Sequence, residues 1–266
     1  MSDDAASLRA AIFAHPADDR PRAVYADYLQ ERGDRYGHFI AAQLRGDSKT
    51  AMFELQGALK ATTLPLFTNT DALPKHAGLG ATGKPALRCF DRGFLRACEV
   101  RSSALEHVEN DAWPAIEWLH VSAPGADDFI RAIGSRLTSL HSFGCHGGAA
   151  AKVLATLRPR KLRRLMVFQM RSFTELSELI DERTELDVSG FSVRVWREAQ
   201  GVKVELEGRA VPETERLLRS VVPEGAKVRV MWSTRGDPDH PLLPMVRRTL
   251  ESLGAEVSEE PMFVVG

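Results

Sequence analysis

Apolar residues in the first 60 positions recur at the spacing of a helix, whereas most of the remaining chain carries them at the spacing of short strands. Ser2, Asp3 and Asp4 are candidate caps for a helix that runs to Ala14 and must end at Pro16, because a residue preceding proline is pushed out of helical geometry. A second capping signal at Asp18 and Asp19, with Pro21 in the first turn, predicts a helix to about Arg32 that stops at Gly33. On it, Val24, Tyr25, Tyr28 and Leu29 share an arc about 140° wide, with Arg20, Asp27 and Glu31 along one flank. Gly37 opens a third predicted helix bearing Phe39, Ile40, Gln43 and Leu44, and a fourth carries Met52, Phe53, Leu55 and Leu59.

Beyond a stretch rich in Thr, Gly and Pro at 61–86, which reads as a connector, a triplet at positions 1, 4 and 6, apolar except at Ser142 and Arg183, returns five times. The triplets are Leu95/Cys98/Val100, Ile116/Leu119/Val121, Leu137/Leu140/Ser142, Leu162/Leu165/Val167 and Arg183/Leu186/Val188, with first positions 21, 21, 25 and 21 residues apart. Helix-compatible segments such as DDFIRAIGSRL, AAAKVLATL and FTELSELIDE lie between them. A strand followed by a helix at this period resembles the leucine-rich-repeat pattern, in which each strand buries its apolar side only by stacking on its neighbours. After Ser192 the alternation in VRVWRE, GVKVELEG and AKVRVMW predicts half-buried strands, and VPETERLLRSV and LLPMVRRTLESLGAEV predict helices, the second closed by Gly254. These units are expected to extend or cap the sheet. The fold class expected is therefore α/β: a small helical module at 1–60, the connector at 61–86, and a short curved leucine-rich-repeat-like strand–helix array at 87–266 with altered capping units at its end.

The charges of the helical module have a structural reading. Arg20 and Arg22 are expected to pair with Asp18, Asp19, Asp27 or Glu31 and so set how short helices cross. In this region HPADDRPRAVYADYLQERGD followed by GHFIAAQL resembles the bacterial repeat-companion domain, whose usual form is close to NP-x-DD-x-PRLVYADWLEERGD followed by G-E-F-I-x-x-Q. The resemblance covers roughly Leu8 to Leu44 and departs from that form at Ala23, Tyr28 and His38. It implies a module standing ahead of a repeat region, as in myxobacteria and planctomycetes, and no catalytic activity.

Thirty-five Lys plus Arg balance thirty-six Asp plus Glu, a net charge of −1 that favours neither nucleic acid nor an anionic membrane, so recognition must come from a local surface. Three cysteines lack the spacing of a disulfide framework or a zinc site. No basic, apolar leader precedes the module and no apolar run reaches the roughly 18 residues of a membrane span, so the expected location is the cytoplasm.

Chemistry-bearing candidates are few. Cys145 beside His146 invites a nucleophile, but Cys145 also fits a turn position of the third repeat. Asp237, Asp239 and His240 follow a predicted strand, where α/β proteins keep ligands, and this loop is the alternative site for an enzyme or a small-ligand or metal binder. Arg158, Arg160, Lys161, Arg163 and Arg164 cluster without interleaved aromatics, which suits a solvated turn better than a nucleic-acid groove. The repeat register instead places Trp118, His120, His141, Phe143, Arg163, Arg164, Met166 and Phe168 on the concave sheet face, beside Thr184, Glu185 and Asp187. Aromatic, Met and Arg side chains are enriched at protein interfaces; the alternative is that the helical module or the Gly-rich connector folds over part of this strip. The expected function is thus a non-enzymatic protein-protein interaction scaffold that binds a protein partner there, with no catalytic residues, metal or cofactor.

Overall fold

A computed structural model of the protein describes residues 3–15, 17–58, 89–100, 108–109, 112–121, 126–157, 161–169, 178–189, 193–198, 201–206, 213–233 and 240–262. The class is α/β, as the patterning predicts, with eight α-helices among the described residues. Two compact units make up the chain: residues 1–120 with 136–140, and 121–135 with 141–266. The first strands therefore belong with the helical module, whereas the sequence pattern places the boundary ahead of them.

In the first unit α1 (Asp3–Ala14), α2 (Arg20–Glu31), α3 (Arg35–Leu44) and α4 (Ser48–Ala58) follow one another through short turns. Asp18 accepts the backbone N–H of Arg20 at 3.0 Å and so serves the start of α2, and Gly33, at φ 71°, leaves the helix in the left-handed conformation that glycine tolerates best. α3 begins two residues before the expected Gly37, because Asp34 caps it by accepting the N–H of Tyr36 at 2.9 Å. Gly37 has a different role. A Cβ there would lie 2.5 Å from the carbonyl oxygen of Ala26 and 2.9 Å from Cβ of Leu29, so its absence lets α3 cross α2 in near-backbone contact. Ala5, Ile12, Tyr25, Ala26, Leu29 and Ile40 form the core, and Phe94 enters it from outside the helices.

Phe94 belongs to a hairpin that the sequence reading did not anticipate. β1 (Phe90–Asp91) and β2 (Phe94–Leu95) pair antiparallel across the two-residue loop Arg92-Gly93, both at positive φ (47° and 91°), as a type I′ turn requires. β3 (Ala97–Val100) and β4 (Trp118–Val121) follow, linked where Glu117 and Trp118 donate their N–H groups to the carbonyl of Arg96; the last residue of β4 falls in the second unit.

The second unit contains α5 (Asp127–Ile133), β5 (Ser142–His146), α6 (Ala149–Leu157), β6 (Arg164–Phe168), β7 (Glu185–Ser189), β8 (Val193–Glu198), β9 (Gly201–Leu206), α7 (Glu213–Val221), β10 (Lys227–Ser233), α8 (Leu243–Ser252) and β11 (Glu256–Met262). Its strands lie in the order β11-β10-β9-β8-β7-β6-β5. β5, β6 and β7 run parallel, β8 runs antiparallel to both β7 and β9, and β9, β10 and β11 are parallel again. The units after Ser192 thus extend the sheet, and they reverse its direction while doing so. β11 is an addition at the edge: the sequence reading ended in the helix that Gly254 closes, with φ 66°. Within the FTELSELIDE segment, residues 178–179 form a turn rather than a helix, and 173–177 lie outside the described residues.

Register decides which side chains face which way. Leu165 pairs with Leu186 and Val167 with Val188, as the repeat spacing predicts. One rung earlier it is Phe143 that pairs with Leu165 and Cys145 with Val167, where Leu140 and Ser142 were expected. The physical reason is that Leu137 to Leu140 form a turn instead of a strand: the N–H of Leu140 bonds to the carbonyl of Leu137, and Thr138 Oγ1 donates to the carbonyl of Pro114. A slip of three residues is odd, so every side chain of β5 changes face.

Candidate functional site

The expected concave strip is only partly present. Trp118 and His120 lie on β4, their rings stacked at 6.3 Å with planes 14° apart, and His120 Nδ1 is 3.8 Å from the carboxylate of Glu99 on β3. Both are buried, at 5% and 3% exposure, so they are core side chains and not a presented surface. Phe143 is fully buried beside Leu165 by the register slip, and Met166 is also buried. His141 lies just ahead of β5, half-buried, its Nδ1 2.8 Å from Ser142 Oγ. Arg163 is exposed; Arg164 and Phe168 are half-buried and share one face of β6 with Met166.

What the second unit does bring together on that face is a cluster in which only some members were expected. Across the register, Gly144, Met166, Asp187, Trp196, Lys203, Arg229 and Ser258 stand in one row. The neighbouring row holds His146 and Phe168, then Ser189, Arg194 and Glu205. The alternate residues Leu165, Val167, Leu186, Val188, Val193, Val195, Val202 and Val204 point to the other side and are buried core.

Arg194 is the centre of this face. Its Nε and Nη2 donate to the two carboxylate oxygens of Asp187 at 2.9 and 3.0 Å, a fork-to-fork geometry that holds the guanidinium in place. The same group sits 4.4 Å from the ring centroid of Trp196 and 5.8 Å from that of Phe168, while Lys203 Nζ approaches Trp196 at 5.7 Å. His146 packs on Phe168 at 5.2 Å, and Arg164 Nε donates to Glu185 at 2.7 Å. Arg194, Trp196 and Phe168 all remain half-exposed. Trp196 and Arg194 escaped the sequence reading because their strand is antiparallel; the alternation in VRVWRE put the two on one side but could not tell which neighbours they would meet.

The chemical candidates fare differently. Burial pushes the Cys145 thiol up to about 12, although backbone N–H groups of Ala151 and Gly148 bond to it, so at neutral pH the sulfur is an uncharged thiol. His240 Nδ1 accepts the N–H of Leu242 at 3.3 Å, which turns the ring to its own loop; Asp237 and Asp239 lie outside the described residues. Among the described residues no group of three or more His, Cys, Asp or Glu gathers as metal ligands do. Of the basic cluster, Arg158 and Arg160 lie outside the described residues, Lys161 and Arg163 are exposed, and Arg164 is engaged by Glu185.

The predicted ionic border of the helical module needs correction. Asp18 pairs with Arg20 through a short ion pair of 2.6 Å, and the hydrogen bonds from Arg20 lower the Asp18 carboxyl to about 2. Asp19 pairs with Arg92 of the hairpin at 2.9 Å, and the buried Arg22 donates to the carbonyl of Asp18 at 3.0 Å. Asp27 and Glu31 are exposed and take no ion pair among the described residues, because one flank of α2 faces solvent instead of a neighbouring helix.

No helix among the described residues is long and apolar enough to cross a membrane. No protein-family model matches this chain, and no curated protein or solved structure matches it either.

Proposed function

We propose that this protein is a cytoplasmic, non-enzymatic scaffold, a repeat-companion module joined to a short leucine-rich-repeat-like array, that binds a protein partner through the sheet face of its second unit that carries Phe168, Arg194 and Trp196. The observation that carries this reading is the half-exposed Phe168, Arg194 and Trp196 cluster. A guanidinium anchored by Asp187 against aromatic rings has already lost most of its rotamer freedom, so a partner that covers it immobilises little more. Aromatic and Arg side chains held in this way are the ones that dominate interface energetics, and they occur here on a face whose opposite side is core. Phe168 and Arg164 come from the surface expected from sequence; Arg194, Trp196 and Lys203 replace Trp118, His120 and Phe143.

The test places a photo-crosslinking residue at Lys203 in the full chain. One defined protein should be captured in cells, with capture falling at least tenfold in Trp196→Ala and Phe168→Ala while the thermal midpoint moves by no more than about 5 °C. Capture of the same protein at undiminished yield by both variants would overturn the assignment of this face.

A further inference from the structure

The side chains of the helical module that carry its sequence motif converge on one short segment of the chain. Gln43 Oε1 accepts the N–H of Gly93, and Tyr36 donates its hydroxyl to the carbonyl of the same residue, so both backbone groups of the turn glycine are held. Asp19 takes the guanidinium of Arg92 at 2.9 Å, and the same Nη1 donates to the carbonyl of Ala17 at 3.3 Å. Phe94 is enclosed by Phe13, Tyr25 and Tyr36, at centroid distances of 5.9, 6.2 and 6.5 Å, with the guanidinium of Arg22 at 5.6 Å; Phe90 meets Phe39 edge-on at 5.2 Å. A Cβ on Gly93 would come within 2.4 Å of Ile40 Cγ1.

Three separate kinds of discrimination are present here: backbone hydrogen bonds that fit one turn geometry, a contact that admits only glycine, and an acid that selects the residue before it. A helix bundle that needed only to be covered would require the apolar contacts alone. The structure assigns the module the role of a turn-recognition domain, whose ligand is a type I′ Arg-Gly turn flanked by aromatic residues, supplied in cis by Phe90–Leu95. This inference is independent of the sheet-face reading, since it concerns the first unit only.

The test uses the full chain with a protease site introduced at residues 61–86. After cleavage the two pieces should co-elute at micromolar concentration, and a backbone-cyclised peptide carrying residues 90 to 95 should displace the larger piece. The same peptide with Gly93→Ala should need at least tenfold more, because Ala is strained in the left-handed conformation and its Cβ meets Ile40 besides. In the cleaved protein Gln43→Glu, which keeps the acceptor, should hold the pieces together, whereas Gln43→Met should release them at least tenfold more readily with helical circular dichroism retained. Pieces that separate on cleavage, or that resist both peptides equally, or equal behaviour of the two Gln43 variants, would each overturn the proposal.

Discussion

The cleft of the helical module and the sheet face around Arg194 are built from the same materials and end in different states. In the cleft Arg22 lies by Phe94, and on the sheet Arg194 lies by Trp196 and Phe168; each guanidinium is fixed by an oxygen of its own unit, the Asp18 carbonyl in one case and the Asp187 carboxylate in the other. Arg22 is buried because the hairpin covers it, and burial lowers its pKa, with the nearby Arg92 adding to the effect. Arg194 stays half-exposed. An aromatic–guanidinium cluster therefore does not by its own composition reveal whether it is core or surface. What separates the two cases is whether a segment of the chain presents complementary backbone groups to it, as Gly93 does to Gln43 and Tyr36.

The contrast can be broken most severely from the buried side. Trp118→Ala removes a large side chain at 5% exposure, and about 3–5 kcal/mol of stability should be lost in denaturant titrations, against less than about 1 kcal/mol for Trp196→Ala. Equal losses at the two positions would mean that the sheet face is as covered as β4. A smaller but still large effect is expected at Arg197, which pairs across from Leu186 and donates to the carbonyls of Thr184, Val221 and Asp181. Arg197→Leu leaves three carbonyls without this donor and should cost about 3 kcal/mol, whereas the exposed Lys203 of β9 should tolerate the same change within about 1 kcal/mol; urea midpoints with unchanged slope would establish this. At the other extreme, Asp27→Ala should change stability by less than about 0.5 kcal/mol, since its carboxylate is exposed and unpaired among the described residues. Unfolding of the module by that substitution would restore the wider ionic border along α2 that the sequence suggests.

Much of the helical module is legible in the chain. The end of α2 at Gly33, the proline before it and the spacing of Tyr25 and Leu29 are local signals, because a helix is closed by residues at most four apart. The start of α3 was displaced only because Asp34 outcompetes Gly37 as the boundary. The candidate site was far less visible. Leu137 and Leu140 satisfy the repeat spacing as well as Phe143 and Cys145 do, and only the turn at Leu137 to Leu140 removes them from the strand. That single odd slip moved Phe143 from the proposed surface to the core. Asp19 tells a similar story: its acidity was plain, but its partner Arg92 is 73 residues away.

Secondary structure and the α/β class follow from the order of residues, since propensity, capping and apolar period act over one or two turns or one strand. Strand direction, register across β5 and β6, and the hairpin seated on α2 and α3 follow from pairings between distant segments, where competing alignments bury similar apolar area. Those are settled by which backbone and polar groups find partners once the chain has closed on itself, and the side chains that stay exposed are settled with them.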